Sequence, residues 1–243
     1  MTSLAYRVSA RPLVLATCLA LMLAVGVGHA VVVFEEHFDD PSFAQWVIHG
    51  DGVLNPGGVA EIVCTYWWYD GLETVERFNR AAARDAMVVE GWFKMDAANP
   101  RCASIVWLQD GWGHPYNCYA VEFAKDQDAP GDNRVFFAYD LDDQVVTYEA
   151  IGVFQPGEWI GWRFCLMAPG CEVWLNYGSG WIREFTETAG TFAPVAINLH
   201  GSGDTSGGGG PNTSYWDNIL VHTEISCPVL ESSWSSIKAL YRQ

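Results

Sequence analysis

Positive charge is what this chain has least of. Against 29 Asp and Glu it carries 13 Lys and Arg, a formal charge of −16 at neutral pH over 243 residues. Nucleic acids and anionic membrane surfaces are bound by basic residues meeting phosphates, so neither is an expected partner. After the first 30 residues there is no apolar segment of bilayer-spanning length. Sustained helical periodicity is missing as far as Cys227, which argues against a wound α/β fold. Several chemical signatures are missing too: no C-x-x-C or Cys/His spacing for zinc, no H-E-x-x-H, no G-x-S-x-G and no glycine loop feeding a helix. His37, His49, His114, His200 and His222 are scattered without metal-ligand spacing.

What the chain does carry begins with an export pattern. Arg7 and Arg11 precede the apolar run LVLATCLALMLAVGVG, and Gly28 and Ala30 supply small residues just before Val31. Residues 1–30 are therefore expected to be a cleaved signal peptide. The apolar run is a little short for an uncleaved anchor, and cleavage would take two positive charges with it, moving the formal charge from −16 to −18. A secreted or cell-surface location follows, with no membrane span in the mature chain. Six cysteines remain: Cys64, Cys102, Cys118, Cys165, Cys171 and Cys227, an even set that suits an oxidising compartment. FCLMAPGCEVWL sets Cys165 and Cys171 on either side of a Met-Ala-Pro-Gly turn, so a disulfide between them across a hairpin is expected.

Hydrophobic residues make up 50% and aromatics 14% of the chain, ample for a sizeable core. From Val31 onward they fall in short runs rich in Val, Ile, Phe, Tyr and Trp, broken by Gly, Pro, Asp and Asn every ten to fifteen residues or so. CASIVWLQ, CYAVEFAK, RVFFAYD and SYWDNILVHT are examples. In EVWLNY, Val173, Leu175 and Tyr177 share one face, and Trp174 and Asn176 share the other. The pattern predicts an all-β fold of two packed antiparallel sheets over residues 31–226. The texture changes in the last segment, residues 227–243. There CPVLESSWSSIKALYRQ places Trp234, Ile237 and Tyr241 on one face of a short terminal helix. This ending also resembles the short W-x-x-I-K-x-L-Y-R tails of exported bacterial proteins, which would make it a sorting or attachment segment.

The order FEEHFDDPSFAQW, VVEGWFKM, CYAVEF, EWIGWRF, CEVWLNYG and YWDNILV resembles the concanavalin A-like lectin and glucanase superfamily, in particular its laminin-G-like jelly-roll domains. The resemblance implies a two-sheet jelly roll whose first and last strands lie side by side. Many members tie those strands with calcium. The matching positions here are Glu36 or its neighbour Glu35, the glycine loop at Gly57 and Gly58, and Asp217. Calcium takes six to eight hard oxygen ligands, carbonyls included, so a structural Ca2+ ion is one expectation. The alternative is that Asp217 and Asn218, set in the middle of an otherwise apolar strand, are satisfied by hydrogen bonds to neighbouring loops.

The glucanases of this superfamily cleave glycosidic bonds with two carboxylates about 5 to 9.5 Å apart. This chain has no E-x-D-x-x-E motif to display such a pair, and Glu122 with Asp126 would stand about 13 Å apart along one strand. Aromatic residues favour binding instead. TYWWYDG and DGWGHPYNCY place Trp68, Trp112 and Tyr116 near strand ends and loops, where ring faces can stack on sugars while Glu122 bonds a hydroxyl. The expected function is a secreted, lectin-like module binding a glycan or an extracellular protein. A glycoside hydrolase with an unusual carboxylate pair, or a surface adhesion module, is the alternative.

Overall fold

The computed structural model describes residues 31–64, 70–78, 86–96, 102–109, 117–125, 133–141, 144–167, 170–189, 196–203 and 212–224. Every regular element among them is a strand. In spatial order, the first sheet runs β13 (Trp181–Glu187), β12 (Cys171–Asn176), β11 (Ile160–Leu166), β6 (Ala86–Met95), β15 (Asn212–Glu224), β4 (Ala60–Cys64) and β3 (Val53–Leu54). β1 (Val31–Glu36) also pairs with β15. The second sheet runs β10 (Gln144–Val153), β9 (Asn133–Leu141), β8 (Asn117–Lys125), β7 (Cys102–Gln109), β14 (Ala196–Gly203), β5 (Asp70–Thr74) and β2 (Trp46–His49). All pairings between these strands are antiparallel, so the expected fold class, a two-sheet β-sandwich, is the observed one. The signal segment 1–30 and the tail 227–243 lie outside the described residues.

The sheets are joined by the residues their two-residue period turns inward. Phe93 of β6 stacks on Phe123 of β8 with ring centroids 4.0 Å apart. Trp216 of β15 leans on Phe93 at 4.8 Å, and Phe154 meets both phenylalanines edge-on. All four are buried, as are Trp162, Phe164, Phe137 and Tyr139 nearby. Fully burying one such ring contributes roughly 1.5 to 3 kcal/mol, and well-oriented pairs add about 1 kcal/mol. This layer is what fixes strand register: a slip by one residue would turn every ring out to solvent.

β15 is the longest strand and has two neighbours along one side. Its first half pairs with β4, Trp216 lying opposite Ala60, and its second half pairs with β1, Val221 lying opposite Phe34. The expected side-by-side placement of first and last strands is therefore present. Between the two halves the register against β6 shifts from Asp217 to Leu220. The bulge is made by Asn218, which adopts φ of 52°, a left-handed conformation that asparagine tolerates better than most residues. The polar pair in the strand thus marks a break in the ladder. Gly91 sits opposite this bulge. A Cβ there would lie 2.6 Å from both Ile219 Cδ1 and Trp162 Cζ2.

The expected Cys165–Cys171 bridge is corrected by the hairpin's register. β11 and β12 do pair as a hairpin, but Leu166 faces Cys171 and Cys165 faces Glu172. An offset of one residue puts the two sulfurs on opposite faces of the sheet. Cys171 points into the main core, whereas Cys165 packs outside with Val88 and Trp174. Cys64, Cys102, Cys118 and Cys171 are buried thiols.

Gly91→Val is expected to destabilise the protein by about 1 to 3 kcal/mol through overpacking against Trp162 and Ile219. Denaturant unfolding would show a lower midpoint with an unchanged slope.

Candidate functional site

The outer face of the second sheet is set by the same alternation that fills the core. Leu199, Val106, Val121 and Phe137 point inward, so the residues between them point out. Asn198 stands beside Trp107, Trp107 beside Ala120 and Ala120 beside Ala138 across β14, β7, β8 and β9. One step along, His200, Ile105, Glu122 and Phe136 form the adjacent row. This face is rich in polar groups for a sheet surface: Glu73, Gln109, Asn198 and His200 are all buried there.

Each polar group has a distinct environment. The Glu73 carboxylate accepts from His49 Nε2 at 3.0 Å and pairs with Arg77. His200 meets the Trp107 ring at 4.2 Å, close to edge-on. Its burial, reinforced by nearby His49, drives its pKa well below the usual imidazole value, so it is neutral. The Gln109 side-chain amide and Asn198 Oδ1 are buried and make no hydrogen bond. Buried amide groups of this kind cost about 1 to 3 kcal/mol each, and such groups commonly serve a ligand or water.

Of the binding residues expected from sequence, the structure places Glu122 on this face. Tyr148 donates its hydroxyl to Glu122 Oε2 at 3.0 Å, and the Tyr148 ring stacks on Phe136 at 4.9 Å, nearly parallel. Burial raises the Glu122 pKa, and the Tyr148 hydrogen bond offsets only part of the rise. Tyr148 is 50% exposed, so one side of this aromatic platform opens to solvent. Trp68, Trp112 and Tyr116 lie outside the described residues, as does Asp126. Tyr148, Phe136, Trp107, Gln109 and Asn198 were missed from sequence. Strand parity alone would have put them on one face, but pairing β14 beside β7 requires the topology.

Among the described residues of this face, Glu73, Glu122 and Asp140 stand far apart along the backbone. β8 turns Cys118, Ala120, Glu122 and Ala124 outward, a single acid. Asp140 lies opposite Cys118, so its backbone is about 14 Å from that of Glu122; Glu73 is three strand spacings away, about 16 Å.

The candidate metal residues meet at the strand clasp, with different chemistry. Glu36 Oε1 accepts the Phe38 amide at 2.7 Å, while Oε2 accepts Trp46 Nε1 at 3.2 Å and Gln45 Nε2 at 3.4 Å. Both oxygens that calcium would need are already engaged by N–H donors. The Asn55 amide donates to the carbonyls of Phe38 and Asp40 at 2.8 and 3.1 Å, and Gly58 N–H also donates to Phe38 O. Asp217 adjoins the bulge, where Asn218 Oδ1 bonds His37 Nδ1 at 2.8 Å; His37 Nε2 bonds Glu35 at 2.8 Å. No group of three or more His, Cys, Asp or Glu among the described residues could hold a metal. In this arrangement side-chain hydrogen bonds join Glu36 and Asn218 to their neighbours at the clasp.

Both His37 nitrogens face acceptors, an arrangement that only imidazolium satisfies with two N–H donors. Burial works to lower the His37 pKa, but hydrogen bonds to Glu35 and Asn218 and the charges of Glu35 and Asp217 outweigh it, and the net shift is upward.

No protein-family model matches the sequence, and no curated relative does. Solved structures do resemble it. A glycosyl hydrolase family 16 protein from Mycobacterium smegmatis superposes with a TM-score of 0.59 at 17% identity, covering 79% of this chain and 100% of its own. A β-1,3-glucanase from Mycobacterium marinum gives 0.54 at 15% identity, covering 79% of this chain and 98% of its own. A GH43 protein from Bacillus licheniformis gives 0.57 at 9% identity over 78% of this chain and 39% of its own. At these identities the likeness is one of fold.

Two outcomes test the clasp. Because the His37 pKa is raised on folding, its stabilisation is complete below the unfolded value and disappears as pH rises through the folded one. Melting temperatures from about pH 5 to about pH 8 should therefore show a His37-dependent fall that His37→Gln flattens. Chelation with EDTA separates the two clasps: hydrogen bonding alone leaves the melting temperature unchanged, and an EDTA-induced drop supports calcium.

Proposed function

We propose that the outer face of the second sheet binds a carbohydrate, an extracellular glycan if residues 1–30 direct export. The observation that carries this reading is the Glu122–Tyr148–Phe136 group: a carboxylate held under a half-exposed tyrosine whose ring is stacked on a phenylalanine. Sugars present C–H faces to aromatic rings and hydroxyls to carboxylates and amides. Trp107, Gln109 and Asn198 lie further along the same face, where the two amides are buried with unfilled hydrogen-bonding capacity.

A hydrolytic reading is favoured by two observations. The resembling structures carry glycosyl hydrolase and glucanase names, and the raised pKa of Glu122 is the property a glycosidase needs in its general acid. It requires a second carboxylate, and the other acids of this face among the described residues, Glu73 and Asp140, have backbones about 14 to 16 Å from that of Glu122. In that reading Glu122 would protonate the departing glycosidic oxygen, with the other carboxylate supplied from outside the described residues.

Glycan-array binding by the wild-type chain, weakened about tenfold or more by Tyr148→Ala and Glu122→Gln without release of reducing sugar, is the expected result. Reducing-sugar release that Glu122→Gln abolishes would establish hydrolysis instead. Binding unaffected by either substitution would move the site off this face.

A further inference from the structure

The two sheets separate along the edge where β10 faces β12 and β13. β10 closes one sheet and β13 the other. Thr147 Oγ1 donates across this edge to Glu187 Oε2 at 2.7 Å. Further along β10 an open pocket of about 440 Å³ is lined by residues that include Phe154, Gln155, Glu158, Trp159, Tyr177 and Glu184. It contains none of Glu122, Phe136 or Tyr148, so it is separate from the outer-face platform.

Gly152 explains how the cavity is walled. A Cβ there would clash with the Tyr177 hydroxyl and lie 2.9 Å from Leu175 Cδ1, so glycine lets the tyrosine lie directly against the β10 backbone. Burial, with the Glu184 charge added, pushes the Tyr177 hydroxyl up to about 12, so it stays protonated beside that carboxylate.

The charged side chains of the lining are Glu158 and Glu184; it includes no Lys, Arg or His. Two rings beside two carboxylates form a cation site, because ring faces attract an ammonium electrostatically and the carboxylates neutralise it. Trp159 already carries one cation: Lys94 Nζ lies 5.1 Å from its centroid and 4.4 Å from that of Tyr215. Lys94 itself is not part of the lining.

The geometry points to this cavity as a binding site for a small organic cation, an alkylammonium group seated against Tyr177 and Trp159 and directed at Glu158 and Glu184. Calorimetric titration of the full chain with choline, and with the uncharged analogue in which carbon replaces nitrogen, tests it. Choline should bind, the uncharged analogue should bind at least about tenfold more weakly, and Glu184→Gln and Trp159→Ala should each weaken choline by a similar factor. Glu122→Gln should leave choline binding unchanged, which separates this site from the glycan reading. Should Glu184→Gln lose the native circular dichroism, Glu158→Gln at its exposed position carries the same test. Equal binding of both probes, no choline binding at millimolar concentration, or choline binding unchanged in a folded carboxylate variant would overturn the proposal.

Discussion

The contact between Phe93 and Phe123 stands at the centre of this molecule. One ring belongs to β6 of the first sheet and the other to β8 of the second, and their stacking, with Trp216 and Phe154 against them, makes two sheets one body. Because side chains alternate along a strand, committing these residues to the interior also commits their neighbours to the exterior. Phe123 facing in sends Glu122 out. Val135 and Phe137 facing in send Phe136 out to meet Tyr148. The functional face is a geometric consequence of the core.

The closing strand adds a second constraint. β15 must pair with β6 throughout while meeting β4 and then β1 on its other side, and the bulge at Asn218 marks the changeover. The non-glycine residues found with positive φ, Phe38, Phe43 and Asn218, cluster at this junction. Such conformations persist where the surroundings over-determine them. Here the Glu36 carboxylate fastens Phe38, Trp46 and Gln45 together, and His37 bridges Glu35 to the bulge. Hydrogen bonding among side chains helps hold the terminal strands, since it brings opposed partial charges together in a partly desolvated place.

The surface chemistry divides by face and edge. The second sheet's outer face combines aromatic rings with a carboxyl group whose proton affinity is raised by burial, while the pocket at the β10 edge gathers rings with two carboxylates and no basic side chain. Rings beside carboxylates with no lining cation suit a cationic ligand. The likeness to the solved structures, at 9 to 17% identity for those compared, is one of fold. On β8 the outward positions are Cys118, Ala120, Glu122 and Ala124, with one acid among them.

By itself the sequence determined the all-β class and the acidic charge, because both rest on local pattern or composition that needs no knowledge of distant partners. The neighbourhood of first and last strands and the candidacy of Glu122 came from the order of segments that carries the resemblance. β2 and β3 escaped because four and two residues cannot display a period. The tertiary structure alone decided what depends on register: that Cys165 and Cys171 face opposite ways, that Asn218 is a bulge residue, and that Glu36 is consumed by amide donors. It also decided the company of Glu122, because Tyr148 and Phe136 reach it only through the pairing of β8, β9 and β10. A shift of one residue in any of those pairings reverses which side chains meet, and no single segment of sequence carries that information.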